Sequence, residues 1–210
     1  MKIVISAGPT RERIDAVRFL SNRSTGKMGF AIAGAAADMG YETVLVAGPV
    51  HLDTPAGVRR IDVESAADMA AAVKREAADA DVVIMAAAVA DYRPRRQISG
   101  KMKKKEGDLF LELERTEDIL KSLGEVKRPG QILVGFAAET ENLELYALDK
   151  LKRKNLDWIA ANDVSRSDIG FGSNDNAVTL YGRNSERIQL PVAPKAEIAA
   201  KLLDTVLTKA

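Results

Sequence analysis

The chain has 210 residues and a formal net charge of +1, from 31 basic and 30 acidic side chains. This balance gives no indication of a nucleic-acid or membrane partner, and the length allows one domain, residues 1–210, with a substantial core. The absence of cysteine excludes disulfides, thiolate metal sites and a cysteine nucleophile. No apolar run approaches the ~20 residues of a membrane span, so we expect a cytoplasmic location. The single histidine, His51, lies in a loop, where a solvated side chain is more common than a catalytic one.

The N-terminal half alternates apolar runs with helical patterns. A buried strand is expected over residues 2–6, followed by an arginine-rich loop over 7–24 without clear periodicity. Small residues then predict a helix over about 25–39, closed by Gly40. Further strands over 43–47, 58–63 and 81–86, with a Ser65-capped helix to about residue 78, complete this half. This alternation predicts a doubly wound parallel sheet with right-handed crossovers.

A dense basic stretch, residues 93–105, follows the fourth strand. It has two interpretations: a nucleic-acid surface, or a mobile flap over about 93–107 that closes on a polyphosphate. Single-stranded nucleic-acid sites usually stack bases on aromatic side chains, and only Tyr92 is nearby. The flap is therefore favoured, since closure also excludes water.

The C-terminal half continues the pattern and adds a hairpin. Alternation predicts a strand over 109–114, and Thr116 is expected to cap a short helix. The remaining predicted elements are a strand over 131–138, a helix over 143–154, a strand over 157–162, a loop over 163–174, a hairpin of 177–181 with 187–190, and a helix from Pro194 to Lys209. The predicted fold is a three-layer α/β/α Rossmann-like mixed sheet, mostly parallel, with a C-terminal antiparallel hairpin.

The start of the first helix is a candidate anion site. Backbone N–H groups there lack intrahelical partners, and the helix dipole and Lys27 add positive charge. It is not a Walker A loop, because Ser21 and Met28 occupy the required Gly and hydroxyl positions around Gly26-Lys27. The dinucleotide fingerprint is also missing after the first strand. An ordinary Ser/Thr cap remains the alternative.

Ligands of doubly wound sheets bind at the carboxyl ends of the strands. This rule places Asp91 on one edge with the helix start, either as an acceptor for ribose hydroxyls or amino groups, or as a turn-capping residue. Lys150 and Lys154 lie four residues apart on one helix face, which favours an anion between them unless the helix end is simply solvated.

Six motifs in order resemble the phosphopantothenoylcysteine synthetase family, the ligase step of coenzyme A biosynthesis. They are Ser-Ala-Gly-Pro-Thr-Arg-Glu at 6–12, Ser-Asn-Arg-Ser-Thr-Gly-Lys-Met-Gly at 21–29, Ala-Ala-Ala-Val-Ala-Asp-Tyr at 86–92, Lys-Met-Lys-Lys at 101–104, Val-Gly-Phe-Ala-Ala-Glu-Thr at 134–140, and Lys-Asn-Leu-Asp at 154–157 with Ala-Asn-Asp-Val-Ser at 161–165.

The resemblance implies a two-step reaction. The carboxylate of 4′-phosphopantothenate attacks the α-phosphate of CTP with Mg²⁺ to give an acyl-cytidylate and pyrophosphate, and L-cysteine then displaces CMP. It implies that Asn22 holds the acyl-cytidylate and that Lys101 is needed to form it. Implied nucleotide contacts are Met85, Ala86, Ala87, Asp91, Lys101, Glu117, Asp118, Ile119, Leu120, Phe136, Lys150 and Lys154. We expect the substrate's phosphate at Ser24, Thr25, Gly26 and Lys27, while the sequence fixes no metal ligands.

The resemblance also implies a homodimer and a common fusion behind a flavin-dependent decarboxylase domain, so the chain is either a free-standing synthetase or an excised domain. Thr116-Glu117 stand where bacterial members usually have Asn-Pro. This leaves open whether the nucleotide is CTP or ATP, since eukaryotic relatives use ATP. Two other functions stay as alternatives: a Rossmann-type nucleotide-binding oxidoreductase, and a non-enzymatic nucleic-acid binder.

Overall fold

The computed structural model describes residues 1–103, 107–139, 141–163, 170 and 172–208, with the backbone alone at Glu139 and Asp163. The strands are β1 (Lys2–Ala7), β2 (Arg11–Arg13), β3 (Phe19–Ser21), β4 (Glu42–Ala47), β5 (Val58–Asp62), β6 (Val82–Met85), β7 (Tyr92–Pro94), β8 (Leu113–Arg115), β9 (Ile132–Glu139), β10 (Trp158–Asp163), β11 (Asp175–Gly182) and β12 (Arg187–Pro194). The helices are α1 (Lys27–Asp38), α2 (Ala66–Ala77), α3 (Ile119–Glu125), α4 (Leu143–Arg153) and α5 (Lys195–Thr208).

One eight-stranded sheet runs through the protein in the order β12-β11-β10-β9-β6-β1-β4-β5. The six strands from β10 to β5 pair in parallel, and β11 and β12 pair antiparallel at one edge. The predicted mixed sheet with its C-terminal hairpin is therefore confirmed.

Helices cover both faces of this sheet. On one face Ile32 of α1 and Leu202 of α5 belong to the same buried cluster as Ile5 of β1. On the other, α2, α3 and α4 contribute Met69, Leu123 and Leu151 to a second cluster that also contains Val4 of β1. Because its central strands are covered on both sides, they are apolar almost throughout, as expected for parallel strands in three layers.

Close packing fixes the start of α1 at the carboxyl end of β1. A Cβ on Gly29 would lie 2.5 Å from the Cβ of Ala7, so only glycine allows the helix to approach the strand this closely. Gly26, just before the helix, has φ +78° and no side-chain cap bond. The candidate anion site is thus held rigidly against the sheet.

Most element boundaries agree with the sequence to within about two residues. At α2, the Ser65 Oγ accepts from the Asp68 N–H at 3.1 Å and the Asp68 carboxylate accepts from the Ser65 N–H at 3.0 Å, a capping box. His51 is exposed, as expected. In the described part of the chain, no helix has both the length and the apolar character to cross a membrane.

Three local predictions were wrong. The expected loop over 7–24 contains the antiparallel hairpin of β2 and β3. The strand expected over 109–114 forms only at Leu113–Arg115, where β7 pairs with it, because side chains 109–111 are exposed and pack on no core. The N-cap of α3 is Asp118 rather than Thr116, whose Oγ instead donates to the Ala90 carbonyl at 2.5 Å.

The predicted flap over 93–107 also begins differently. Arg93 and Pro94 belong to β7, and Arg93 pairs with Glu114 of β8 at 2.8 Å. Arg95 extends this pairing through its N–H, which donates to the Glu112 carbonyl at 2.9 Å. Residues 104–106, most of the predicted loop over 163–174 and Lys209 lie outside the described residues.

Candidate functional site

A cavity of about 800 Å³ opens at the carboxyl ends of the parallel strands. It brings together Asn22 and the start of α1, the end of β6 with Asp91, and the turn that begins α3. The predicted residues that line it are Asn22, Ser24, Thr25, Gly26, Lys27, Met85, Ala86, Ala87, Asp91, Glu117, Asp118, Ile119, Leu120, Phe136 and Lys154. Lys101 and Lys150 are not among its lining residues.

Asn22 joins two parts of the cavity wall. Its Nδ2 donates to the carbonyl oxygens of Ala88 at 3.0 Å and Val89 at 3.3 Å. Thr10 ties the same loop from the other side, because its Oγ1 accepts from the Ala90 N–H at 2.9 Å. These bonds fix the loop after β6 against the segment that carries Asn22.

The start of α1 faces the cavity without a side-chain cap. Ser24 Oγ accepts from the Gly26 N–H at 3.3 Å but does not reach the helix itself. The Ser/Thr cap considered as an alternative is therefore not formed. Lys27 Nζ donates to the carbonyl oxygen of Gly172 at 2.9 Å and to Asn174 Oδ1 at 2.8 Å. Both acceptors are uncharged, so the positive charge of Lys27 is not neutralised by them.

The turn before α3 carries two paired carboxylates. Burial acts to raise the pKa of Asp118, but the Lys154 ammonium at 2.9 Å and the Lys121 N–H outweigh it and leave that pKa below its usual range. Hydrogen bonds from Lys74 and Ser122 lower the pKa of Glu117. Lys154 therefore has Asp118 as its partner. The anion expected between Lys150 and Lys154 stays a prediction.

Sequence reasoning missed Asn176 and Lys195, which line the cavity from far along the chain. Asn162, which ends a predicted strand and belongs to one of the six motifs, lines it too but was not assigned to the site. Asn176 is only 2% exposed, and its Oδ1 has no hydrogen-bond partner among the described residues. Burial lowers the pKa of Lys195, and the nearby charge of Lys27 acts in the same direction. A lysine as the first residue of a helix opposes the helix dipole, and this was the available signal.

The described residues contain no group of three or more His, Asp or Glu side chains that could hold a metal ion by themselves. Asp91 places a carboxylate on the cavity wall, and the described part of the chain offers this side chain no hydrogen-bond partner. This donor set fits Mg²⁺ bound chiefly by phosphate oxygens and water, with at most one or two protein carboxylates.

The fold and this cavity define an α/β protein whose candidate ligand site lies at the carboxyl edge of a doubly wound sheet. The family model for the DNA/pantothenate metabolism flavoprotein C-terminal domain matches residues 1–209, and the chain belongs to this family.

Relatives of known name agree with this assignment. The chain is 50% identical over 205 residues to the coenzyme A biosynthesis bifunctional protein CoaBC of Bacillus subtilis, covering 97% of this chain and 50% of that protein. It is 45% identical over 212 residues to the protein of that name from Escherichia coli K12, covering 100% of this chain and 52% of that protein. The chain thus spans about half the length of these relatives.

A crystal structure of the C-terminal domain of coenzyme A biosynthesis bifunctional protein CoaBC superposes with a TM-score of 0.85 at 47% identity. The match covers 99% of this chain and 94% of that one. The predicted resemblance and the predicted fold are both confirmed by these comparisons.

Proposed function

We propose that the protein is a phosphopantothenate–cysteine ligase that forms 4′-phosphopantothenoylcysteine through a nucleotide-activated acyl intermediate. The observation that carries the proposal is the single cavity in which Asn22, the uncapped start of α1, Asp91 and the turn before α3 meet. Relatives at up to 50% identity carry the name of coenzyme A biosynthesis proteins, which supports this reaction over the oxidoreductase and nucleic-acid-binding alternatives.

In the first step, a carboxylate oxygen of 4′-phosphopantothenate attacks the α-phosphorus of CTP, and the bond to the β-phosphate oxygen breaks to release pyrophosphate. Negative charge grows on phosphoryl oxygens in this step, so cations and N–H donors held in place are the useful catalysts. We assign this role to Lys101. We place the phosphate of the pantothenate substrate at Ser24, Thr25, Gly26 and Lys27.

In the second step, the amine of L-cysteine attacks the acyl carbonyl, the bond to the cytidylate oxygen breaks, and CMP leaves with that oxygen. We assign Asn22 to hold the acyl-cytidylate in this step. Its amide is already fixed by the Ala88 and Val89 carbonyls, so its orientation is set before substrate arrives.

Mg²⁺ would neutralise phosphate charge when bound with the nucleotide, and Asp91 is the side chain we assign to contact it or the ribose. The nucleotide base would lie near Ile119, Leu120 and Phe136, which line the cavity. We propose CTP as the natural nucleotide, with ATP as the alternative, and a cytoplasmic location.

We further propose a homodimer. Apolar side chains are exposed on the β2–β3 hairpin, at Val17 and Phe19, and on the segment before β8, where Phe110 is 89% exposed. The two hairpins are neighbours, since β2 packs against β7. A second copy covering these side chains would remove them from water. In a longer protein, the bifunctional name of the relatives supports fusion to a decarboxylase domain.

Isotope tracing tests the acyl-nucleotide route directly. Phosphopantothenate labelled with ¹⁸O in its carboxylate is incubated with CTP, Mg²⁺ and L-cysteine, and the nucleotide product is analysed by mass spectrometry. Attack at the α-phosphorus transfers one ¹⁸O to CMP. Label found in inorganic phosphate, with CDP as product, would show an acyl phosphate instead and contradict the proposal.

A further inference from the structure

The turn between β2 and β3 contains a fully buried carboxylate, that of Asp15. Its two oxygens have separate partners. Oδ1 accepts from the N–H groups of Val17 and Arg18, each at 2.8 Å, and shapes the turn. Oδ2 accepts from the Arg18 guanidinium, at 2.5 Å from Nη2, and from the N–H of Met102 at 3.1 Å.

Met102 is held from both sides by this pair. While its N–H donates to Asp15, its carbonyl accepts from Arg18 Nη2 at 3.2 Å. A third bond, from the Ile98 N–H to the Ile14 carbonyl at 3.3 Å, ties the same segment to the same turn. The Arg18 hydrogen bond and the backbone donors, that of Met102 included, hold the pKa of Asp15 well below its usual range, so the carboxylate stays ionised for these contacts.

The contact links the two residues assigned to the two chemical steps. Lys101 directly precedes Met102, and β3 leads from Arg18 to Asn22 over four residues, a span of at most about 13 Å at ~3.3 Å per residue. The segment that carries Lys101 is otherwise exposed and has no apolar side chain in the core. Among the described residues, the hydrogen bonds of Asp15 and Arg18, together with the Ile98–Ile14 backbone bond, therefore hold its backbone in place.

We propose that Asp15, acting with Arg18 through the backbone of Met102, is a positioning residue that sets Lys101 for the first chemical step. This inference rests on the proposed function, because Lys101 has a catalytic role only there. It goes beyond that function by assigning a task to a buried carboxylate that touches no part of the cavity.

The variant Asp15→Asn separates the two roles of the carboxylate. An amide Oδ1 can still accept from Val17 and Arg18, so the turn is retained. The Nδ2 that replaces Oδ2 is a donor, so it cannot accept the hydrogen bonds from the Met102 N–H and the Arg18 guanidinium. Arg18→Lys is a second variant, since it replaces with one nitrogen on a shorter side chain the Nε and Nη2 that together contact Asp15 and Met102. Glu64→Gln is the matched control: it removes the exposed Arg13–Glu64 ion pair, 2.6 Å, which joins the same hairpin to the segment after β5.

The first readout is tryptic cleavage after Lys101 and Lys103, followed by mass spectrometry at a temperature where each variant is folded by circular dichroism. Both Asp15→Asn and Arg18→Lys should be cut about tenfold faster than the parent protein, and Glu64→Gln at the parent rate. Equal cleavage rates in all four proteins would show that the turn does not hold the segment and would overturn the inference.

The second readout compares the two half-reactions. Pyrophosphate release should fall about 10- to 100-fold in kcat for Asp15→Asn, since small misplacements of a catalytic group cost this much. Lys101→Gln gives the rate of pyrophosphate release without the lysine, and so the lower limit for this comparison. CMP release from supplied acyl-cytidylate and cysteine should stay within about twofold of the parent. Equal loss in both half-reactions, or no loss in either, would overturn the positioning role.

The two readouts also separate this inference from the proposed function. If the parent protein releases no pyrophosphate, the proposed function fails, and with it the catalytic meaning of the contact. The cleavage result then still decides whether Asp15 holds the segment. If the parent is active but Asp15→Asn matches it in both cleavage and kinetics, the inference alone is wrong.

Discussion

At the scale of single residues, the Asn22 amide has a structural role and, in the proposed mechanism, a chemical one as well. Its Nδ2 satisfies two backbone carbonyls, those of Ala88 and Val89, which belong to the loop that carries Asp91. The amide plane is therefore fixed by the protein itself. A group fixed in this way loses no further freedom when it meets the intermediate, which is a favourable property in a catalytic residue.

The variant Asn22→Asp places a carboxylate oxygen against these two carbonyls. We expect acyl-cytidylate still to form, since Lys101 and the helix start are unchanged, but amide formation to stall, so that intermediate accumulates or hydrolyses. Rapid quench and mass spectrometry follow the intermediate. Product formed at the parent rate and yield would remove Asn22 from the proposed mechanism.

A second residue-scale prediction concerns Glu76 of α2, which lies against Lys2 of β1 and Arg59 of β5, at 3.4 and 2.5 Å. The Arg59 hydrogen bond, opposed by burial, lowers the pKa of Glu76 from 4.5 to about 2. A carboxylate with a depressed pKa in the folded state stabilises the protein above its unfolded pKa, and this contribution is lost as the pH falls towards the folded value.

We therefore expect Glu76→Gln to lower the free energy of unfolding at pH 7 by about 1.5–3 kcal/mol, as for hydrogen bonds to charged groups. The difference from the parent should shrink between about pH 4.5 and 2, because the parent then loses its charged contact. Urea unfolding at several pH values measures it. Glu125→Gln, which removes the exposed Lys121–Glu125 ion pair of α3, is the control. A difference in the free energy of unfolding between Glu76→Gln and the parent that stays constant with pH would contradict this prediction.

At the scale of elements, the close approach of α1 to β1 determines where the candidate anion site lies. Gly29→Ala should push the helix from the strand, since its Cβ would meet Ala7 at 2.5 Å, and should destabilise the protein by about 1–3 kcal/mol. Gly34→Ala on the same helix is the control: its nearest contact would be Pro55 at 3.5 Å, and it should stabilise slightly. Thermal unfolding of both variants is the measurement, and equal shifts would contradict this packing.

The elements that the sequence predicts well share one property: their pattern reports burial. The runs at β1, β4 and β6 are apolar because both faces are covered, and α2 carries a complete capping box. The elements that were missed are short hairpins at the surface. The strands of the pairs β2–β3 and β7–β8 have only three residues each, too few to show a periodicity. In addition, Tyr92 of β7 pairs with Arg115 of β8, a partner distant in sequence.

The candidate site shows the same division. Motifs near the strand ends, such as Asp91 and the start of α1, were placed on one edge by the topology rule, and they meet in one cavity. Asn176 and Lys195 could not be placed in advance. They reach the cavity because β11 and α5 return to the sheet edge, and that return depends on tertiary packing.

At the scale of the whole molecule, the exposed apolar side chains at Val17, Phe19 and Phe110 predict self-association. The protein should sediment as a dimer, and Phe110→Asp should shift it to the monomer, because a buried unpaired carboxylate opposes an apolar interface. Val126→Asp, at a side chain that is 72% exposed elsewhere, should leave the dimer intact. Analytical ultracentrifugation distinguishes the outcomes, and a parent protein that is monomeric at micromolar concentrations would contradict the dimer.

One assay bears on the main chemical idea more directly than any variant: pyrophosphate release from each of the four nucleoside triphosphates, with and without phosphopantothenate and cysteine. The account predicts release from CTP that requires phosphopantothenate and Mg²⁺ but not cysteine, followed by CMP release only when cysteine is added. If no triphosphate yields pyrophosphate in response to phosphopantothenate, the protein does not activate that carboxylate, and the proposed ligase chemistry is wrong.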